Sequence, residues 1–140
     1  MASVHLAESD AEIARCFPVM HQLRPHLEEA SFVGRVRELQ REGYALAYVR
    51  DGDEVVSVAG FRIMENLFSG RLLYLDDLSS GEGKRSKGYG KTIFAWLVDH
   101  ARARGCAYLE LDSGVQRFDA HRFYLTNRMI ISAHHFRLKL

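Results

Sequence analysis

The segment 81–91, Gly-Glu-Gly-Lys-Arg-Ser-Lys-Gly-Tyr-Gly-Lys, constrains this chain more than any other. It lies between an apolar run at 72–78 that reads as a strand and an amphipathic run at 92–104 that reads as a helix. A strand, a glycine-rich turn and a helix present free backbone N–H groups and a positive helix end to a phosphate. Four basic side chains, Lys84, Arg85, Lys87 and Lys91, surround those amides. The segment is therefore expected to hold the pyrophosphate of a nucleotide-bearing cofactor.

Composition narrows what surrounds the loop. At 140 residues the chain is expected to form one domain spanning 1–140. A chain of this size buries about two-thirds of its unfolded surface without staples. The net charge of +1 argues against a nucleic-acid binder, which needs a broad basic surface. Cys16 and Cys106 show no metal or redox spacing and are expected to sit reduced in the interior, as in a cytoplasmic protein. No signal-peptide pattern and no apolar run of membrane-spanning length is found, so no membrane partner is expected.

Period and punctuation give the element order. Residues 4–7 read as a short strand. Ser9 or Asp10 caps a helix whose apolar positions are Ile13, Cys16, Phe17 and Met20. Pro18 disturbs that helix and Pro25 ends it. A second helix covers 31–41, with Phe32, Val36 and Leu39 inward and Gly43 as its stop. Strands at 44–50 and 54–63 flank Asp51-Gly52-Asp53, a hairpin signal, and a further strand covers 71–78. After the loop, Ile93, Phe94, Leu97, Val98 and Ala101 form a helical apolar stripe. A strand at 106–111 follows, which implies a right-handed parallel crossover. A short helix at 119–127 and a final strand at 129–138 complete the reading.

Three phosphate-binding patterns compete for the loop. Gly90-Lys91-Thr92 resembles the end of a P-loop, but Arg85 occupies the place of its leading glycine. Gly88-Tyr89-Gly90 begins a dinucleotide fingerprint, but Ile93 replaces its third glycine, and the preceding strands are antiparallel. The pattern R/Q-x-x-G-x-G/A is met at every fixed position by Arg85, Ser86, Lys87, Gly88, Tyr89 and Gly90. With the strand ending Asp76-Asp77-Leu78-Ser79-Ser80, the segment Leu111-Asp112-Ser113-Gly114 and the run Ala120-His121-Arg122-Phe123-Tyr124, the sequence resembles the GNAT superfamily of acetyltransferases. The resemblance covers roughly 44–130 well and the first 40 residues weakly.

The resemblance implies an α+β fold: a mixed, mostly antiparallel twisted sheet flanked by helices, with a parallel strand–helix–strand crossover around the CoA site. It implies acetyl-CoA as co-substrate, no metal, and transfer of acetyl to a small-molecule or protein amine by direct attack in a ternary complex. Arg85, Ser86, Lys87, Gly88, Tyr89, Gly90 and Lys91 are then the pyrophosphate loop. Leu78, Ser79 and Ser80 offer backbone to the pantetheine arm, and an amide there serves the oxyanion. Ala120 and Phe123 lie along the cofactor, and Arg117, where many members carry Asn, can contact a phosphate. Tyr124 is the candidate acid for the departing thiolate, because a phenol is protonated at neutral pH.

By the resemblance, Asp76 or Asp77 is the candidate base, acting through a water, or binds a cationic substrate. Alternation sends them to opposite faces, so one can face the cleft while the other pairs with an arginine. Glu110 and Asp112 are weaker candidates. His134 and His135 are adjacent on a predicted strand, face opposite ways and cannot readily chelate one ion; His121 is read as surface. Asn127-Arg128-Met129 replaces the family's usual Gly-Phe, and one strand's worth of chain remains where a hairpin is usual. The edge so exposed is expected to pair in a homodimer. The competing reading is a catalytically silent CoA-binding regulatory or interaction module.

Overall fold

A computed structural model describes residues 2–140. Its contacts divide into two compact units, a larger one ending at Glu110 and a smaller one, Leu111–Leu140.

The larger unit is built on a sheet. Strands β1 (Ala2–Leu6), β2 (Tyr44–Asp51), β3 (Glu54–Asn66) and β4 (Gly70–Ser80) pair antiparallel in sequence order. The fifth strand, β5 (Tyr108–Leu111), lies beside β4 and makes the sheet mixed. Its approach is set by Ala107 N, which donates to Arg71 O at 2.8 Å. The strand starts two residues later than expected, so Cys106 falls ahead of it and is half-buried rather than core, whereas Cys16 is fully buried.

Helices pack on the sheet because alternation along each strand gives it apolar residues on both sides. On one side, Tyr44, Leu46, Tyr48 and Val58 meet Ile13, Cys16, Phe17, Met20, Phe32 and Val36 from helices α1 (Asp10–Arg15), α2 (Phe17–Leu23) and α3 (Glu29–Arg41). Ser9 caps α1 in a reciprocal box with Glu12. Pro18 stands in the first turn of α2, where its missing N–H costs nothing, and so separates α2 from α1. Arg24 leaves the helical region ahead of Pro25, which ends α2. On the other side, α4 (Tyr89–Ala103) buries Ile93, Phe94, Leu97 and Ala101, and Phe61 of β3 meets Trp96 and His100 edge-on. Each fully buried Leu, Ile or Phe contributes about 1.5–3 kcal/mol. Among the described residues no helix is long and apolar enough to cross a membrane.

The smaller unit holds α5 (Phe118–Thr126) and the segment 127–140. Helix α5 ends with Arg128 in the left-handed region at φ 69°, and Met129 N donates back to Tyr124 O at 3.1 Å. The strand expected at 129–138 is absent: these residues carry no regular secondary structure, and 130–140 are exposed throughout. A strand exists only when its backbone finds a partner, and the sequence pattern that suggested one does not supply it.

Candidate active site

The loop after β4 is pinned at several points. Gly81 N donates to Val56 O at 2.8 Å, and Glu82 N to Gln22 Oε1 of α2 at 2.8 Å. Lys84 pairs with Glu54 at 3.1 Å, and the Tyr89 hydroxyl donates to Asp51. That bond holds the Asp51 carboxyl below its ordinary value and the Tyr89 phenol above its own. Residues Arg85–Lys87 form one 3-10 turn, and Gly88 takes φ 80° to join it to α4. That left-handed step favours glycine. The helix starts at Tyr89, three residues earlier than its apolar stripe suggested.

Among the described residues no side chain caps the N-terminus of α4, so its first amides are presented to a ligand with the positive end of the helix dipole behind them. Arg85, Lys87 and Lys91 are exposed and make no ion pair among the described residues, whereas Lys84 is committed to Glu54. A cleft of about 470 Å³, lined by Gln22, Glu82, Gly83 and Arg85, opens beside the loop. Uncapped amides, a left-handed glycine and three unengaged cations fit a pyrophosphate chemically.

The end of β4 carries the carboxylates. Its register against β3 shifts by one residue, from Gly60 opposite Asp77 to Phe61 opposite Leu75, so Asp76 is an extra residue in a bulge. The bulge breaks the alternation that would have sent Asp76 and Asp77 to opposite faces. Both instead enter one network. Arg62 donates to Asp76 Oδ2 from Nε at 2.9 Å and from Nη2 at 2.6 Å. Arg24 donates to Asp77 Oδ1 at 3.0 Å and to Asp76 O at 3.0 Å. The Tyr44 hydroxyl donates to Asp77 Oδ2 at 2.8 Å, and the Arg62 guanidinium lies 5.7 Å from the Tyr44 ring centre. Burial raises the Asp76 carboxyl above its ordinary value, outweighing Arg62. Burial and the Asp77 charge also push the Tyr44 phenol well up.

Sequence reading missed Arg24, Tyr44, Gly60 and Arg62. Gly60 was the available signal, since a glycine inside a strand marks a close approach. A Cβ there would stand 1.8 Å from Tyr44 Oη and 2.5 Å from Asp77 Oδ2.

Strand β5 ends after four residues while β4 runs for eleven, and the two start side by side. The Leu78, Ser79 and Ser80 end of β4 is therefore paired to β3 on one side only, against Ala59, Val58 and Ser57. Ser57 Oγ donates to Ser79 O at 3.0 Å, and Ser79 Oγ to Val19 O at 3.4 Å, which ties this stretch to β3 and α2.

The remaining candidates lie in the smaller unit, on α5. Tyr124 is half-buried, and burial raises its phenol above the ordinary value. Its hydroxyl has no partner among the described residues, and its ring meets Phe123 edge-on. Arg117 is the N-cap position of α5, Ala120 lies one turn along it, and His121 Nε2 is 2.8 Å from Gly114 O. His135 Nδ1 is 3.5 Å from Asp112 Oδ1, and among the described residues no His, Cys, Asp and Glu side chains gather as a metal site. Glu110, in the larger unit, accepts from Ser69 Oγ at 2.7 Å.

Comparison with known proteins gives the family and the fold. The acetyltransferase (GNAT) family matches the chain over residues 8–127. An uncharacterized N-acetyltransferase of Bacillus subtilis (strain 168), YhdJ, is 33% identical over 129 residues, covering 90% of each chain. Among solved structures, a Trypanosoma brucei acetyltransferase superposes with a TM-score of 0.81 at 18% identity over all of both chains. The aminoglycoside acetyltransferase AAC(6')-Iy, in complex with the bisubstrate analog CoA-S-monomethyl-acetylneamine, superposes with a TM-score of 0.87 at 12% identity, covering 100% of this chain and 98% of its own. These matches show that the chain belongs to the GNAT family of acetyltransferases.

Proposed function

We propose that this protein transfers the acetyl group of acetyl-CoA to a primary amine by direct attack in a ternary complex. The observation that carries the reading is the loop: α4 amides behind Gly88 that no described side chain caps, with Arg85, Lys87 and Lys91 making no ion pair among the described residues. The backbone amides of 86–91 receive the pyrophosphate, and the one-sided end of β4 at Leu78, Ser79 and Ser80 receives the pantetheine arm. Arg117, Ala120 and Phe123 contribute from α5. A cytoplasmic setting suits two free cysteines, and we take the assembly to be a homodimer, because β5 leaves the sheet with an open edge.

In this reading Asp76 is the base. A base works best when its pKa approaches the working pH, and burial raises Asp76 toward it. Asp77 is held by Tyr44 and Arg24 and serves to fix the bulge. The amine arrives as an ammonium and gives a proton to Asp76 through a water. Its nitrogen then bonds to the thioester carbon as the C–S bond breaks. A backbone amide of 78–80 stabilises the oxygen, Tyr124 gives its proton to the departing thiolate, and the acylated nitrogen, still positively charged, gives its extra proton back to the phenolate, so that a neutral amide and a thiol leave. Because each carboxylate already has an arginine, the wall they form is charge-balanced rather than acidic, and it offers no general attraction for polycations.

The test is turnover of acetyl-CoA across amine classes, with free thiol as readout. Release of CoA that requires an amine supports the reading. Binding of acetyl-CoA with no turnover on small amines, peptides or proteins contradicts it and favours a silent CoA-binding module. Tyr124→Phe separates the acid from the binding residues: turnover is expected to fall by about 100-fold with acetyl-CoA affinity kept.

A further inference from the structure

The network at the end of β4 has bonding capacity left over, and it is left at particular atoms. Asp77 has none: Oδ1 accepts from Arg24 and Oδ2 from Tyr44. Asp76 differs. Both bonds from Arg62 end on its Oδ2, which leaves Oδ1 without a partner among the described residues. A guanidinium can donate from Nε, Nη1 and Nη2. Arg24 uses Nε on Asp77 and Nη2 on the Asp76 carbonyl, while Arg62 uses Nε and Nη2 on the Asp76 carboxylate. Each arginine keeps its Nη1, with no partner among the described residues.

These atoms can be reached. Among the described residues, the buried side-chain polar atom that lacks a hydrogen bond is Ser113 Oγ, so Asp76 Oδ1 and both Nη1 groups touch solvent. The Arg24 side chain is 41% exposed, Arg62 29% and Asp76 20%. One carboxylate oxygen and two guanidinium edges are thus open around a single residue. The carboxylates already balance the arginines, so a ligand with one sign of charge gains little there. A ligand with both signs close together gains at both ends. Its ammonium faces Asp76 Oδ1 through one water, and its carboxylate accepts from one Nη1 of each arginine.

We propose that the acetyl acceptor is a free amino acid, held by Asp76 Oδ1 and by Nη1 of Arg24 and Arg62. This rests on the acetyltransferase reading and names its substrate class. A polyamine or an aminosugar brings the ammonium without the carboxylate. A protein N-terminus has that carboxylate masked in a peptide bond. Each uses only half of the wall. The chemistry is unchanged: the N–C bond forms as the C–S bond breaks, and an N-acetylamino acid, a thiol and one proton leave.

The test compares free amino acids with their own carboxamides, matched side chain for side chain, with acetyl-CoA as donor and free thiol as readout. For the best side chain, kcat/KM is expected to be at least about tenfold higher for the acid than for the amide, with the difference in KM. Arg24→Gln, its folding followed by circular dichroism, is expected to raise KM for the amino acid about five- to tenfold and to leave that of the carboxamide unchanged. Should that variant not fold, the acid-to-amide ratio of the unaltered enzyme decides. Carboxamides or other amines without a carboxylate turned over as well as amino acids, or an equal rise in both KM values, overturns the proposal and leaves the acetyltransferase standing. No turnover on any amine, by a chain that binds acetyl-CoA, overturns the acetyltransferase reading and this proposal with it.

Discussion

The site depends first on a residue without a side chain. Gly60 leaves the space in which Tyr44 Oη reaches Asp77, and an added Cβ would fall 1.8 Å from that oxygen. Gly60→Ala is expected to cost about 1–3 kcal/mol in denaturant unfolding, as overpacking of a core does. In a Tyr44→Ala background the cost should shrink, because the two nearest clashing atoms, Tyr44 Oη and Cζ, are gone; an unchanged cost would place the strain at Asp77 instead. In the proposed mechanism Asp76 sets the pH dependence. Its carboxyl is raised by burial, so the base form is lost at a higher pH than for an ordinary carboxylate. The acid limb of kcat/KM is expected at a higher pH than an unperturbed aspartate would give, and Asp76→Asn should lower kcat by about 100-fold and remove that limb. Glu12 behaves oppositely. Bonds from Tyr48 and the Ser9 backbone and side chain lower it from 4.5 to about 2, against burial. A depressed carboxylate stabilises the fold above its unfolded value, and that contribution is lost as pH falls from 4.5 toward about 2. Tyr48→Phe should flatten the acid side of the stability curve in that window, read by thermal unfolding at several pH values. Of these residues the sequence showed Asp76, Asp77 and the Ser9 cap. It hid Arg24, Tyr44 and Arg62, whose partners lie 14 to 53 positions away along the chain.

At the scale of elements, strand–loop–helix was legible because each part has a local cause. Alternation marks β2 to β4, Gly88 marks the left-handed step, and the stripe from Ile93 to Ala101 marks α4. The bulge at Asp76 was not legible, since one extra residue in a strand leaves no trace in composition. Nor was the fate of 129–140, because alternation reports what a strand needs and not whether an edge is present to receive it. The loop carries its own prediction. Arg85→Ala is expected to weaken acetyl-CoA binding about five- to tenfold, the loss of a single charge-assisted contact, without changing stability. Tyr89→Phe breaks the tie to Asp51 and should weaken binding less, through a looser loop. Equal affinities for Arg85→Ala and the unaltered chain would remove the basic side chain from the site.

For the whole molecule, the order of elements and the family followed from residues 44 to 130. The sheet order β1-β2-β3-β4-β5 has the neighbours that a meander and one crossover require. What the molecule acetylates was not legible, because the wall beside Asp76 is assembled from α2, β2, β3 and β4, none of which carries a local motif for an acceptor. The central claim concerns the cofactor, and isothermal calorimetry with acetyl-CoA tests it most directly. One site per chain is expected, with affinity falling as salt rises, because the pyrophosphate is held partly by exposed cations. Absence of binding at millimolar acetyl-CoA, by a chain shown to be folded, would contradict the account.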